Sequence, residues 1–152
     1  MSGSTLPQAL VESIRDRLGS RRPASTIELA VHAAVEPERE RRAWALVSVA
    51  SRLRREHELD LARIALNGAL ALDAGPEPTR AAYLSAVALH ADEGDLMTAL
   101  KLGEGLLADR QEPRLLREMA RVYWGMWKET KDEAWHDRWW GVDVRLREAT
   151  PA

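Results

Sequence analysis

Regular punctuation of helix-forming segments is the feature that most restricts how this chain can fold. Ala, Leu, Glu and Arg dominate, and runs of β-branched residues are missing, which favours helix over strand. At the start, "STLPQ" has capping-box spacing, with Thr5 placed to accept from the Gln8 backbone and Pro7 tolerated in a first turn. Leu6, Leu10, Ile14 and Leu18 then keep a helical period until "GSRRP" breaks it. "STIE" repeats the box with Ser25 and Glu28 and opens a short helix that Pro37 ends or bends. A longer helix is predicted over 38–56, with Leu46, Val49, Ala50 and Leu53 on one face, followed by one over 59–72 that "DAGPEP" closes. The next pair is predicted over 79–92 and 95–109, split by "DEGD". The last is predicted over 113–127 and 132–147, split by "KETK", where Thr130 and Glu133 can form another capping box. The expectation is an all-α chain of about eight helices, the last six in three hairpins.

With 152 residues the chain is long enough for one domain with a real core. Residues 1–5 and 148–152 are expected to be flexible ends. Residues 6–37 form N-terminal helices and 38–147 the hairpins. Net charge is −2 but unevenly spread. Residues 1–57 carry ten Arg against seven carboxylates, 58–112 four cations against ten, and 113–152 eight against seven. The acidic middle argues against a continuous basic stripe for a phosphate backbone. Without Cys there is no disulfide, thiolate metal site or Cys nucleophile. "MSGSTLPQALVES" lacks the charged and apolar regions of a secretory signal, and no apolar run reaches bilayer length, so a cytoplasmic protein is expected. The bias to 19 Arg over 3 Lys, beside many Ala, points to a GC-rich bacterial genome.

The hairpins resemble tetratricopeptide repeats, a family built on a helical hairpin of about 34 residues. The first match is Leu46, Val49–Ala50 and Leu53, with Ala62, Leu66 and Ala69 in "LARIALNGALALD". The second is Tyr83, Ala86–Val87 and His90, with Gly94–Asp95 and Ala99. The third is Leu116, Met119–Ala120 and Tyr123, with Ala134. Alanines 62, 99 and 134, matched to the helix contact, stand 37 and 35 residues apart, the extra residues being assigned to loops. Val87 and His90 depart from the family pattern, and the third turn is about two residues long for it. The resemblance covers about 43–147 and implies a right-handed α-solenoid that binds protein.

It also implies a concave groove lined by the first helix of each hairpin. Position by position this gives Trp44, Val47, Ser51, Arg54 and Arg55, then Ala81, Leu84, Ala88, Ala91 and Asp92, then Arg114, Arg117, Arg121, Trp124 and Gly125. Two cationic–aromatic ends would flank a floor of small residues. Arg forks hold carboxylates and aromatic anchors concentrate binding energy, so the expected ligand is an acidic–hydrophobic protein segment. The family's carboxylate clamp for chaperone tails needs Lys and Asn on these faces, and they are absent. The plain alternative is a solvated arginine face with Glu118 as local partner.

Nothing in the sequence points to catalysis, a metal or a cofactor. The four histidines are scattered, Glu133-x-x-His136 occurs without the second copy that a di-iron bundle needs, and Glu28–His32 is an ordinary i,i+4 pair. His90 is expected half-buried and hydrogen-bonded. A nucleic-acid surface through Arg41, Arg42, Arg52 and Arg55 is the weaker alternative, because Glu36, Glu38, Glu40 and Glu56 interleave with them. Self-association is the other. Trp135, Trp139, Val142 and Leu146 form a stripe that packs on the preceding helix, while Trp140 and Val144 form a flanking stripe that a second copy could cover in a homodimer. In "YWGMWKETKDEAWHDRWW" the rings are expected to point different ways. Tyr123, Trp135 and Trp139 are expected in the core, Trp127 at the turn, Trp124 in the groove and Trp140 on the uncovered end.

Overall fold

The computed structural model describes residues 5–18 and 24–149. They form eight helices and no strand: α1 (Thr5–Leu18), α2 (Ala24–Val35), α3 (Arg39–Arg55), α4 (Leu59–Ala71), α5 (Pro76–Asp92), α6 (Leu96–Asp109), α7 (Pro113–Thr130) and α8 (Glu133–Ala149). No described helix is long and apolar enough to cross a membrane. The capping boxes expected at Thr5 and Ser25 involve side chains outside the described residues.

Two compact units divide the chain after Ser85, within α5. In the first, α1 packs on α2 and on α4, α2 on α3, and α3 on α4, so four helices close a ring. Its core is the set of 3–4-spaced apolar residues: Leu10 and Ile14 of α1, Leu46, Val49 and Leu53 of α3, and Leu61, Ala62 and Ala65 of α4, all buried. In the second unit α7 packs on both α6 and α8. Glycines bring α6 and α7 close: a Cβ on Gly103 would collide with the Met119 sulfur, and one on Gly125 would lie 2.9 Å from Leu96 Cδ1.

The last six helices keep a constant spacing. First helices start at Arg39, Pro76 and Pro113, and second helices at Leu59, Leu96 and Glu133, so both series advance by 37 residues. The turns between them keep it too, because the residue with positive φ is His57, Gly94 and then Lys131. At the first two, the amide three residues past the helix end reaches back to close a six-residue turn, Glu58 N–H to Leu53 C=O at 2.9 Å and Asp95 N–H to His90 C=O at 2.9 Å. At the third, Lys131 N–H donates to Trp127 C=O at 2.8 Å.

The structure corrects the sequence reading in four places. α7 runs on to Thr130 instead of ending near 127. α5 starts at Pro76 instead of 79, because prolines in a first turn cost no helical hydrogen bond. Thr130 does not cap α8. Its hydroxyl donates to Met126 C=O at 2.8 Å, and Asp132 caps instead, accepting from Ala134 N–H at 3.0 Å. Ala134 is exposed, whereas Ala62 and Ala99, matched to the same repeat position, are buried. The residue 37 after Ala99 is His136.

Candidate interaction surface on the last hairpin

The outer face of α7 is set by helical spacing. Arg114, Arg117, Arg121, Trp124 and Lys128 recur at three, four, three and four residues and are all exposed, while Leu115, Met119, Val122 and Met126 face inward. Arg121 is not idle: it pairs with Asp92 and lies 3.6 Å from Glu118. Two residues assigned to a ligand groove, Arg121 and Asp92, therefore bind each other. Lys128 was missed because α7 was expected to stop one residue short of it; the i+4 step from Trp124 reaches it once the helix runs on.

Beside this stripe lies a cluster of rings from α7 and α8. Trp124 meets Trp139 with centroids 4.9 Å apart and planes at 53°. His136 lies 5.5 Å from Trp139, 5.6 Å from Trp127 and 6.4 Å from Trp124. Trp140 continues the cluster at 6.1 Å from Trp139. The Lys131 ammonium sits 5.5 Å from the Trp127 ring and the Arg147 guanidinium 5.9 Å from Trp140. The expectation that these rings diverge holds for Tyr123 and Trp135, which stack on each other, but not for the other four tryptophans, which are contiguous with one imidazole. They meet because His136 and Trp139 fall on the side of α8 that faces α7. His136 was unrecognised as their hub. Trp135 and Trp139 are half-buried, not fully in the core.

One turn before Trp139, Tyr123 stacks on Trp135 at 6.1 Å, and Arg138 covers Trp135 at 4.7 Å. The Tyr123 hydroxyl donates to Glu104 Oε2 at 3.0 Å, and Arg138 lies 3.6 Å from the same carboxylate. Burial, reinforced by the Glu104 charge, pushes the Tyr123 phenol up to about 12. An open cleft of about 360 Å³ adjoins this network, walled by Leu107, Val142, Asp137 and Arg145 among others. Arg145 donates to Gln111 Oε1 at 3.1 Å. Among the described residues, those lining the cleft carry both charge signs and include no buried donor without a hydrogen bond.

The other expected groove residues are divided. Trp44 and Arg55 are exposed, and Ser51 and Arg54 half-buried, in the first unit. Val47, Leu84, Ala88 and Ala91 are core residues and cannot floor a groove, because the helix face carrying them is packed. Ala81 is half-buried and Gly125 is packed by Leu96. The cationic–aromatic ends at Trp44 and Trp124 belong to separate units. Val144 is half-buried beside exposed Trp140. Among the alternatives, Arg41 lies 3.1 Å from Glu38 and Arg42 donates to Glu36 C=O at 2.8 Å. His90 is half-buried, as expected, but its Nδ1 lacks a hydrogen bond and faces Glu93 at 3.6 Å and Asp95 at 4.0 Å. His32 lies near Glu36, at 3.9 Å.

The 37-residue register gives the α7 stripe its meaning. Trp124 stands where Ala50 and Val87 stand, and those are 2% and 0% exposed, whereas Trp124 is 39% exposed. Arg121 stands where Val47 and Leu84 are buried, and Arg117 where Ala43 and Arg80 are buried. Positions that form core in the first two hairpins are open in the third. Comparisons with protein-family models, with curated proteins and with solved structures found no match.

Proposed function

We propose that this protein is a non-catalytic helical-hairpin scaffold, of the tetratricopeptide-like α-solenoid type, that binds a segment of another protein. The outer face of α7 and the adjoining rings of Trp127, His136 and Trp139 are its docking surface. The carrying observation is the exposure of Trp124, Arg117 and Arg121 at positions that are buried in the two preceding hairpins. The constant 37-residue advance supports the repeat reading. An exposed indole beside Arg117 and Lys128 suits a segment that combines carboxylates with an apolar or aromatic anchor. Acidic residues alternate with the cations elsewhere on the chain, which favours a protein ligand over a nucleic acid.

Affinity capture from the native host tests this reading, with the double variant Arg117→Glu/Lys128→Glu and the variant Trp124→Ala run beside the parent chain. The expected result is one or more co-purifying proteins whose recovery falls about tenfold or more with each variant, since losing a central aromatic anchor costs about 2 kcal/mol. Equal recovery with all three baits would remove the α7 face as the docking surface.

A further inference from the structure

The side of α8 turned away from α7 carries a second pattern. Glu133, Asp137, Trp140, Val144 and Arg147 advance by four, three, four and three residues. That is the spacing of a coiled-coil seam. Its ends are acidic and basic, and its centre is apolar. Trp140, at 52% exposure, is among the most exposed large apolar side chains described. Gly141 sits beside the seam, and a Cβ built on it would meet nothing within 4 Å, so a neighbouring backbone has room to approach there.

We propose that α8 pairs antiparallel with α8 of a second copy, around a two-fold axis beside Val142. This placement follows from the charges. Pairing about residue 142 sets Trp140 against Val144 of the second copy, and Asp137 against Arg147 of the second copy. Each contact occurs twice, as a two-fold interface requires. A parallel pairing would instead stack Asp137 on Asp137 and Arg147 on Arg147. Antiparallel helices also oppose their dipoles favourably. Arg147 already forms an ion pair with Asp143 Oδ2 at 2.7 Å on its own helix and leans over Trp140. Its guanidinium has five donors, enough to hold a second carboxylate as well. A single pair of helices, each roughly 25 Å long, forms a small interface, so the dimer is a weak one.

The test is sedimentation equilibrium on the full chain over a wide concentration range. The parent chain is expected to rise from one-copy to two-copy mass as concentration increases. Asp137→Arg and Arg147→Asp each place like charges opposite one another and are expected to weaken the dimer about tenfold or more. Mixing the two variants makes both contacts complementary again, so a heterodimer of near-parent affinity is expected. Only a folded chain in this register can recover on mixing, which separates the proposal from a loss of structure. Trp140→Glu, at an exposed position, is expected to abolish association outright. A parent chain that stays single at every concentration overturns the proposal and leaves the face to another protein or to solvent. So does a dimer indifferent to the reversals, or a mixture that fails to recover.

Discussion

At the scale of single residues, the glycines of α6 separate two effects that a sequence cannot. Gly103 and Gly105 are both helical, and replacing either with Ala gains about 1 kcal/mol of helix propensity. Only Gly103 faces a neighbour, buried Met119, and overpacking there costs about 1–3 kcal/mol. Gly105→Ala is therefore expected to raise the urea midpoint, and Gly103→Ala to lower it or leave it unmoved. Tyr123 gives a pH signature. Its phenol keeps its proton in the folded chain up to about 12, while in the unfolded chain it ionises near its ordinary value of about 10. The unfolded state thus binds fewer protons between these values. Stability is full below about pH 10 and falls by up to about 1.4 kcal/mol per pH unit on the way to 12. Urea melts of Tyr123→Phe should lack that decline, at a cost of about 1 kcal/mol near neutrality for the lost bond to Glu104. A decline of the same slope in Tyr123→Phe would assign the effect to another group.

At the scale of elements, the turn between α7 and α8 makes the sharpest demand on sequence. Lys131 adopts positive φ without being Gly, and Asp132 supplies the helix cap. Lys131→Gly is expected to stabilise by about 0.5–1 kcal/mol, and Asp132→Ala to destabilise by about 1 kcal/mol, both read in chemical denaturation. Equal midpoints for the two variants would remove this account of the turn. The same turn shows what was legible. Helix number and most boundaries followed from breakers and spacing, since Pro37, "DAGPEP" and "DEGD" act locally. The third hairpin was misaligned because "KETK" looks like a turn throughout, yet three of its residues continue α7. Matching Ala134 to Ala99 followed from residue type, whereas the structure keeps spacing and puts His136 there. Burial of Val47, Leu84 and Ala88 was equally hidden, because an amphipathic pattern gives a helix one core face and these helices have two packed sides. The cationic face of α7 was readable from 3–4 spacing alone.

At the scale of the whole molecule, α5 is the element that both compact units share. Leu84 and Ser85 are buried on one side of the division, and Val87, Ala88 and Leu89 on the other. One unbroken helix thus carries buried residues on both sides of the division. Ala86→Pro would remove the helical bond to Ala82 and cost about 3 kcal/mol or more. Hydrogen exchange is expected to show amide protection falling in α3–α4 and in α7–α8 alike. Protection lost from only one of these hairpins would mean that the two units open independently, each with its own free energy.

The ring cluster also bears on how this protein can be observed. Two indoles 4.9 Å apart and inclined at 53° are electronically coupled chromophores. Their strong ultraviolet transitions mix into an exciton pair of opposite rotational strengths, which overlaps the band used to measure helix. The circular dichroism of this chain is therefore a sum of backbone and indole terms. Trp124→Phe would reshape the spectrum with no helix lost, and a ligand that tilts one ring against the other would do the same.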